Sequence, residues 1–312
     1  MSVLFTFPGQ GAQRRGMLAE LPDSAPVRET RAEAEDVLSR TCASLDTSEA
    51  LATTDNVQLA LTVAGVAAAR HLCAEAGAPD AVLGLSIGAW PAAVIAGVVD
   101  FDVALGLVAE RGRLMGEAYP SGYGMLAVLG LSEQAVSELV DALQAENHAV
   151  YVANVNADQQ IVAAGRDDAL ALLADRAQDA GARAVKRLAV AVPSHCALLD
   201  GPAARLADIG ADVAWRAPRC AYFSANARRR LYRGADVGDD LLFNMARTVY
   251  WAQTARIASE SGMGLAVEMP PGATLTGLHP AGEGDSEAIA VERSGWHNSA
   301  ALIRRAAQTR GP

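Results

Sequence analysis

A chain of 312 residues, 51% apolar, 5% aromatic and 20% charged, has the length for one large α/β domain carrying an insertion and is too rich in small aliphatics to be disordered or collagen-like. A formal net charge of −10 argues against nucleic acid or an anionic membrane as partner, because phosphates need a net positive face and bases need aromatic platforms. Cys42, Cys73, Cys196 and Cys220 stand singly with no C-x-x-C pair, so no disulfide framework and no metal site is expected, and a reducing cytoplasm is the expected location.

In chain order, Met1 to Phe7 reads as a short strand rather than a targeting segment, and no run reaches the roughly 18 apolar residues of a membrane span. The strand Val3 to Phe7 breaks into Pro8-Gly9-Gln10-Gly11, a glycine loop at a strand's carboxyl end, where open α/β sheets bind ligands. From Val57 to Ala76 apolar residues lie almost all round a helical wheel, which predicts a buried helix. Ala81 to Gly84 reads as strand and about Ile87 to Ala96 as a small-residue helix. Between about Gly124 and Leu188 the rhythm changes. Met125 to Leu129 reads as strand; Val136, Leu139, Val140 and Leu143 have helical spacing; Ala149 to Val155 and Ile161 to Ala164 read as strands; about Asp168 to Ala180 reads as helix, ending at Gly181, and Ala184 to Leu188 as strand. That order, βαββαβ, is the ferredoxin-like unit. The expected architecture is therefore a large α/β domain with a parallel sheet, formed by 1–123 and 189–312, with a ferredoxin-like subdomain inserted at 124–188. The stretch 281–285 reads as an exposed loop.

Gly84-Leu85-Ser86-Ile87-Gly88 is G-x-S-x-G between a predicted strand and a predicted helix. That is the context of a nucleophile elbow, in which the glycines permit a tight turn and the serine oxygen projects from its apex. The backbone N–H of Ile87 at the helix start can face a developing oxyanion. A serine needs a base at neutral pH. Of five histidines, His71 belongs to the apolar helix, His148 lies in the inserted unit, and His279 and His297 fall towards the C-terminal end. His195 follows Val192-Pro193-Ser194, where the chain leaves the insertion; it is a structural histidine unless the fold brings it to the elbow serine, in which case it is the base.

These residues resemble the malonyl-CoA:acyl-carrier-protein transacylase family along almost the whole chain. The likeness rests on Phe7-Pro8-Gly9-Gln10-Gly11-Ala12-Gln13, on Gly84 to Gly88, on Arg111-Gly112 with Arg111 25 residues after the serine, and on Val192 to Leu198 around His195. The resemblance implies an α/β-hydrolase-like large domain, Ser86 as nucleophile, His195 as general base and acid, and Gln10 and Ile87 as backbone oxyanion donors. It further implies Arg111 as the ligand of the malonyl carboxylate and the backbone carbonyl of Tyr250 as the group orienting His195. Asn154 and Asn156 match an asparagine-containing stretch of the family, either lining the cleft or capping a turn, and Gln58 is a further cleft candidate. Arg228, Arg229, Arg230 and Arg233 read as a solvated face that could meet phosphates or an acidic carrier.

Within the family the chain is most similar to the malonyltransferase subunit of bacterial malonate decarboxylase, through Gly-Leu-Ser-Ile-Gly, Ala118 to Met125 and Val267 to Gly272. This implies malonyl-CoA as substrate, no bound cofactor, and as acceptor the decarboxylase's acyl-carrier subunit, whose phosphoribosyl-dephospho-CoA group bears the thiol. Leu85 and Tyr250 depart from the wider family, which usually has histidine and glutamine there. A transacylase of fatty-acid synthesis is the alternative within the family. A serine thioesterase or hydrolase with the same elbow, and a non-catalytic carrier-docking subunit, are the alternatives outside it.

Overall fold

A computed structural model describes residues 1–190, 192–280 and 286–308. Among the described residues the strands are β1 (Ser2–Phe7), β2 (Ala81–Gly84), β3 (Tyr123–Leu129), β4 (Val150–Ala157), β5 (Gln160–Arg166), β6 (Ala184–Arg187), β7 (Ala221–Ser224), β8 (Arg229–Leu231), β9 (Met263–Glu268) and β10 (Glu287–Ala290). They form two sheets. The large one has the order β10-β9-β1-β2-β7-β8, with every pairing parallel except the β7–β8 edge hairpin. β1 and β2 are both buried along nearly their full length, the continuous apolar type expected of strands covered on both faces. The parallel sheet expected from the sequence is present, with an antiparallel hairpin added at one edge.

The helix Thr54–Ala76 fills the middle of the large lobe, beside the helix Phe101–Ala118. By length and composition it is apolar enough to cross a membrane, which the sequence reading did not anticipate, and 78% of its most apolar 18-residue window is buried inside the protein. Small side chains such as Ala60, Ala64, Ala67 and Ala68 on several of its faces let neighbouring elements approach closely.

The small lobe has four antiparallel strands in the order β4-β5-β3-β6, with helices Glu133–Ala145 and Asp167–Asp179 on one face. Its chain order is β3, helix, β4, β5, helix, β6, the βαββαβ sequence. Alternation along β3 sends Leu126 and Val128 into a core with Val136, Val140 and Leu143. Met125 and Ala127 take the opposite face, with Val162, Ala164 and Cys196. That second face closes over the carboxyl ends of β1 and β2, and the cleft lies between. The expected loop at 281–285 lies outside the described residues.

Candidate active site

β2 ends at Gly84, and Ser86 opens a single 3-10 turn, Ser86–Gly88, that runs into the helix Ala89–Ile95. Ser86 has φ +55°, the left-handed region that costs a non-glycine residue about 1 kcal/mol or more. The turn closes only because its flanks are glycines. A Cβ on Gly84 would sit 2.1 Å from the backbone of Gly88, and one on Gly88 would sit 2.2 Å from the carbonyl oxygen of Phe7. The two glycines thus seat the serine against the end of β1 and the Pro8-Gly9-Gln10 loop.

His195 is 2% exposed and also has a positive φ, +64°. Its backbone N–H donates to the carbonyl of Met245 at 2.6 Å. Its Nε2 lies 2.7 Å from Ser86 Oγ, while Nδ1 lies 2.9 Å from the carbonyl of Asn244 and 3.2 Å from that of Arg247. Carbonyls only accept, so Nδ1 carries the proton and the Nε2 lone pair of the neutral ring faces the serine hydroxyl. Burial, then the nearby Arg111 charge, push the His195 pKa down to about 4 against the pull of the two carbonyls. The ring is neutral at pH 7 and ready to take a proton.

Among the described residues, no protein acceptor takes the backbone N–H of Gln10 or of Ile87, and both residues line the cavity that holds Ser86 and His195. Two backbone donors without a protein acceptor beside the serine could receive an oxyanion. The cavity, about 100 Å³, has an apolar wall that includes Met115, Met125, Val162, Leu188 and Val190. It adjoins an outer cleft of about 680 Å³ that shares Gln10, Leu188 and Val190 and reaches Arg113, Tyr119, Tyr123 and Arg187.

Arg111 comes from the helix Phe101–Ala118 and is 1% exposed, whereas its neighbour Arg113 pairs with Glu110 and Glu117 on the opposite, solvated face. Arg111 donates to Gln58 Oε1 and, at 3.1 Å, to Asn244 Oδ1. Its Nε has no acceptor, and no carboxylate pairs with it among the described residues. Burial pushes its pKa down to about 9, which leaves it charged at neutral pH. A buried cation in the lining of the serine's cavity, without a counter-ion among the described residues, could pair with a carboxylate.

Gln58 is fully buried behind Arg111 and does not line the cavity, so it serves the arginine. Asn154 and Asn156 do line it from β4, and Asn156 Oδ1 is buried without a partner among the described residues. Tyr250 requires a correction. Its carbonyl accepts from the N–H and, at 2.8 Å, the Oγ1 of Thr254, and so caps the helix Trp251–Glu260, while its ring stacks under Arg228. The carbonyls that hold His195 belong to Asn244 and Arg247, which the sequence reading missed. Any residue can supply a backbone carbonyl, so side-chain identity carried no signal for them. Arg230 lies over Tyr232 and Arg233 pairs with Asp236, away from the cavity.

Residues 4–294 match the family described as acyl transferase domain. The chain belongs to the acyl transferase family. It is 36% identical over 280 residues to the malonyl CoA-acyl carrier protein transacylase of Escherichia coli strain K12, covering 88% of this chain and 90% of that one. The acyl transferase fold superposes on the malonyl CoA-acyl carrier protein transacylase of Coxiella burnetii with a TM-score of 0.90 at 32% identity, covering 99% and 97% of the two chains. A malonyl-transacylase solved in complex with the acyl-carrier protein of a type II polyketide synthase gives 0.89 at 33% identity, covering 97% and 99%.

Proposed function

We propose that this acyl transferase is a malonyl-CoA:acyl-carrier-protein S-malonyltransferase that works through a malonyl ester on Ser86. The observation that carries the acyl choice is Arg111, buried, charged and without a carboxylate partner among the described residues, in the cavity of the Ser86–His195 pair. Ser86 Oγ passes its proton to His195 Nε2 and attacks the thioester carbonyl. The oxyanion is received by the N–H groups of Gln10 and Ile87. Collapse breaks the C–S bond, and the CoA sulfur leaves with the proton from His195. In the second half the carrier thiol gives its proton to His195 and attacks the ester, and Ser86 leaves protonated. Neither half consumes water. The apolar wall and small inner cavity favour a short acyl group held away from solvent, with the long thiol arm in the outer cleft.

For the acceptor, the similar proteins favour a carrier of the fatty-acid or polyketide-synthesis type. The carrier of malonate decarboxylase is a second reading. It is supported by Leu85, an apolar residue on the cavity wall beside the nucleophile where the wider family usually has histidine. Placement in the cytoplasm belongs to the same proposal and fits four cysteines present as free thiols. The deciding experiment loads the enzyme with radiolabelled malonyl-CoA and offers two carriers, one bearing phosphopantetheine and one bearing the phosphoribosyl-dephospho-CoA arm. Rapid label transfer to the first alone supports the synthesis type, and to the second alone the decarboxylase type. CoA release that needs no carrier and never stalls would instead identify a thioesterase.

A further inference from the structure

The turn of the β7–β8 hairpin carries Asn226, a half-buried residue outside the acyl cavity whose carboxamide touches both halves of the site. Its Nδ2 donates to the carbonyls of Arg247 at 2.9 Å and Thr248 at 3.0 Å, and its Oδ1 accepts from Asn244 Nδ2 at 2.9 Å. The Arg247 carbonyl is one of the two that hold His195 Nδ1, and the other is that of Asn244. The Asn244 side chain in turn gives Arg111 one of its two acceptors, the other being Gln58 Oε1.

An asparagine amide has one accepting and one donating end. With Nδ2 of Asn244 committed to Asn226, its Oδ1 is left for the guanidinium. In the flipped state Asn244 would point an NH₂ at a group that can only donate. We infer that Asn226 is a positioning residue which fixes both the tilt of His195 and the acceptor seen by Arg111, so that proton transfer and acyl selection hang on one side chain.

The inference rests on the malonyl-transfer reading for its kinetic readout. Asn226→Leu is close in size and removes all three hydrogen bonds. Asn226→Asp keeps an oxygen for Asn244 but turns the other oxygen on two carbonyls, which favours its protonated, donating form. In Asn226→Leu, kcat/KM for malonyl-CoA should fall on the order of 10- to 100-fold, the scale of a sub-ångström to ångström misplacement of a catalytic group, and the malonyl-to-acetyl ratio should narrow. In Asn226→Asp the ratio should stay near wild type, while the rate falls at pH 8 and recovers relative to wild type as the pH drops and the new carboxyl protonates. A merely structural role would lower the melting temperature and leave ratio and pH profile unchanged in both variants, and that result overturns the inference. If Asn226→Leu does not fold, the pH profile of Asn226→Asp decides alone. Should wild-type enzyme take no malonyl group, the functional reading fails. The His195 ring titration, followed by NMR without substrate, then still decides: a shift in the variants supports the inference and an unchanged titration overturns it.

Discussion

Replacing Arg111 by alanine removes the one charged side chain among the described residues that line the inner cavity. The guanidinium is 1% exposed, held by Gln58 and Asn244, with Nε free of any acceptor and no protein carboxylate nearby among the described residues. A malonyl carboxylate bound there forms a buried ion pair, and taking away one partner of such a pair costs roughly 2 to 5 kcal/mol, or about 30-fold to several thousand-fold in kcat/KM. Acetyl-CoA has no carboxylate to lose, so its turnover should change little and the malonyl-to-acetyl ratio should collapse by about that factor. Lysine at 111 should restore part of the ratio, since a point charge lacks the two-pronged geometry. Arg111 also helps hold the His195 pKa low, so the acid limb of the alanine variant should move to higher pH. The assay is kcat/KM for both thioesters across pH in wild type, Arg111→Ala and Arg111→Lys. The same malonyl-to-acetyl ratio in all three would refute the assignment.

The other predictions concern the base, the elbow and stability. His195→Ala should slow acylation on the order of 10² to 10⁴-fold with the fold retained, and a rate within a few-fold of wild type would point to another base. Gly88→Ala places a methyl 2.2 Å from the Phe7 carbonyl, a backbone clash that should lower the melting temperature and the acylation rate together; a wild-type-like variant would disprove the tight seating of the elbow. A His195 pKa held near 4, below the ordinary 6.5, means the unfolded chain binds the extra proton first. This group's contribution is therefore full above pH 6.5 and lost as pH falls towards 4, by up to on the order of 3 kcal/mol. Asp240, whose buried carboxyl is pushed up to about 6, slopes the opposite way in that window. The test is therefore the difference in denaturation free energy between wild type and His195→Ala from pH 4 to 7, and a difference independent of pH would contradict the depressed histidine.

The parts legible in the sequence were those where a residue type is the only one that fits. Gly84 and Gly88 are dictated by backbone approach, so the elbow was readable, and the βαββαβ order of segments between Gly124 and Leu188 revealed the inserted sheet before its pairing was known. The Ser86–His195 contact spans 109 residues of sequence and could be named only through resemblance, because no local pattern brings the two together. Arg111 too was named through resemblance, since helical spacing alone does not separate it from Arg113, which pairs with Glu110 and Glu117 while Arg111 is buried. The carbonyls of Asn244 and Arg247 and the amide of Asn226 were invisible. They act through backbone atoms or at one remove, in a segment whose composition carries no pattern of its own, and the histidine's support was accordingly expected six residues away at Tyr250.

The central claim is that Ser86 carries the malonyl group between two thiols. Intact-mass measurement with peptide mapping after brief exposure to malonyl-CoA tests it most directly. Wild type should gain one malonyl adduct on the peptide containing Ser86 and lose it on addition of carrier thiol, and Ser86→Ala should gain none. An adduct of equal yield in Ser86→Ala, or none in wild type alongside continued transfer to the carrier, would contradict the account.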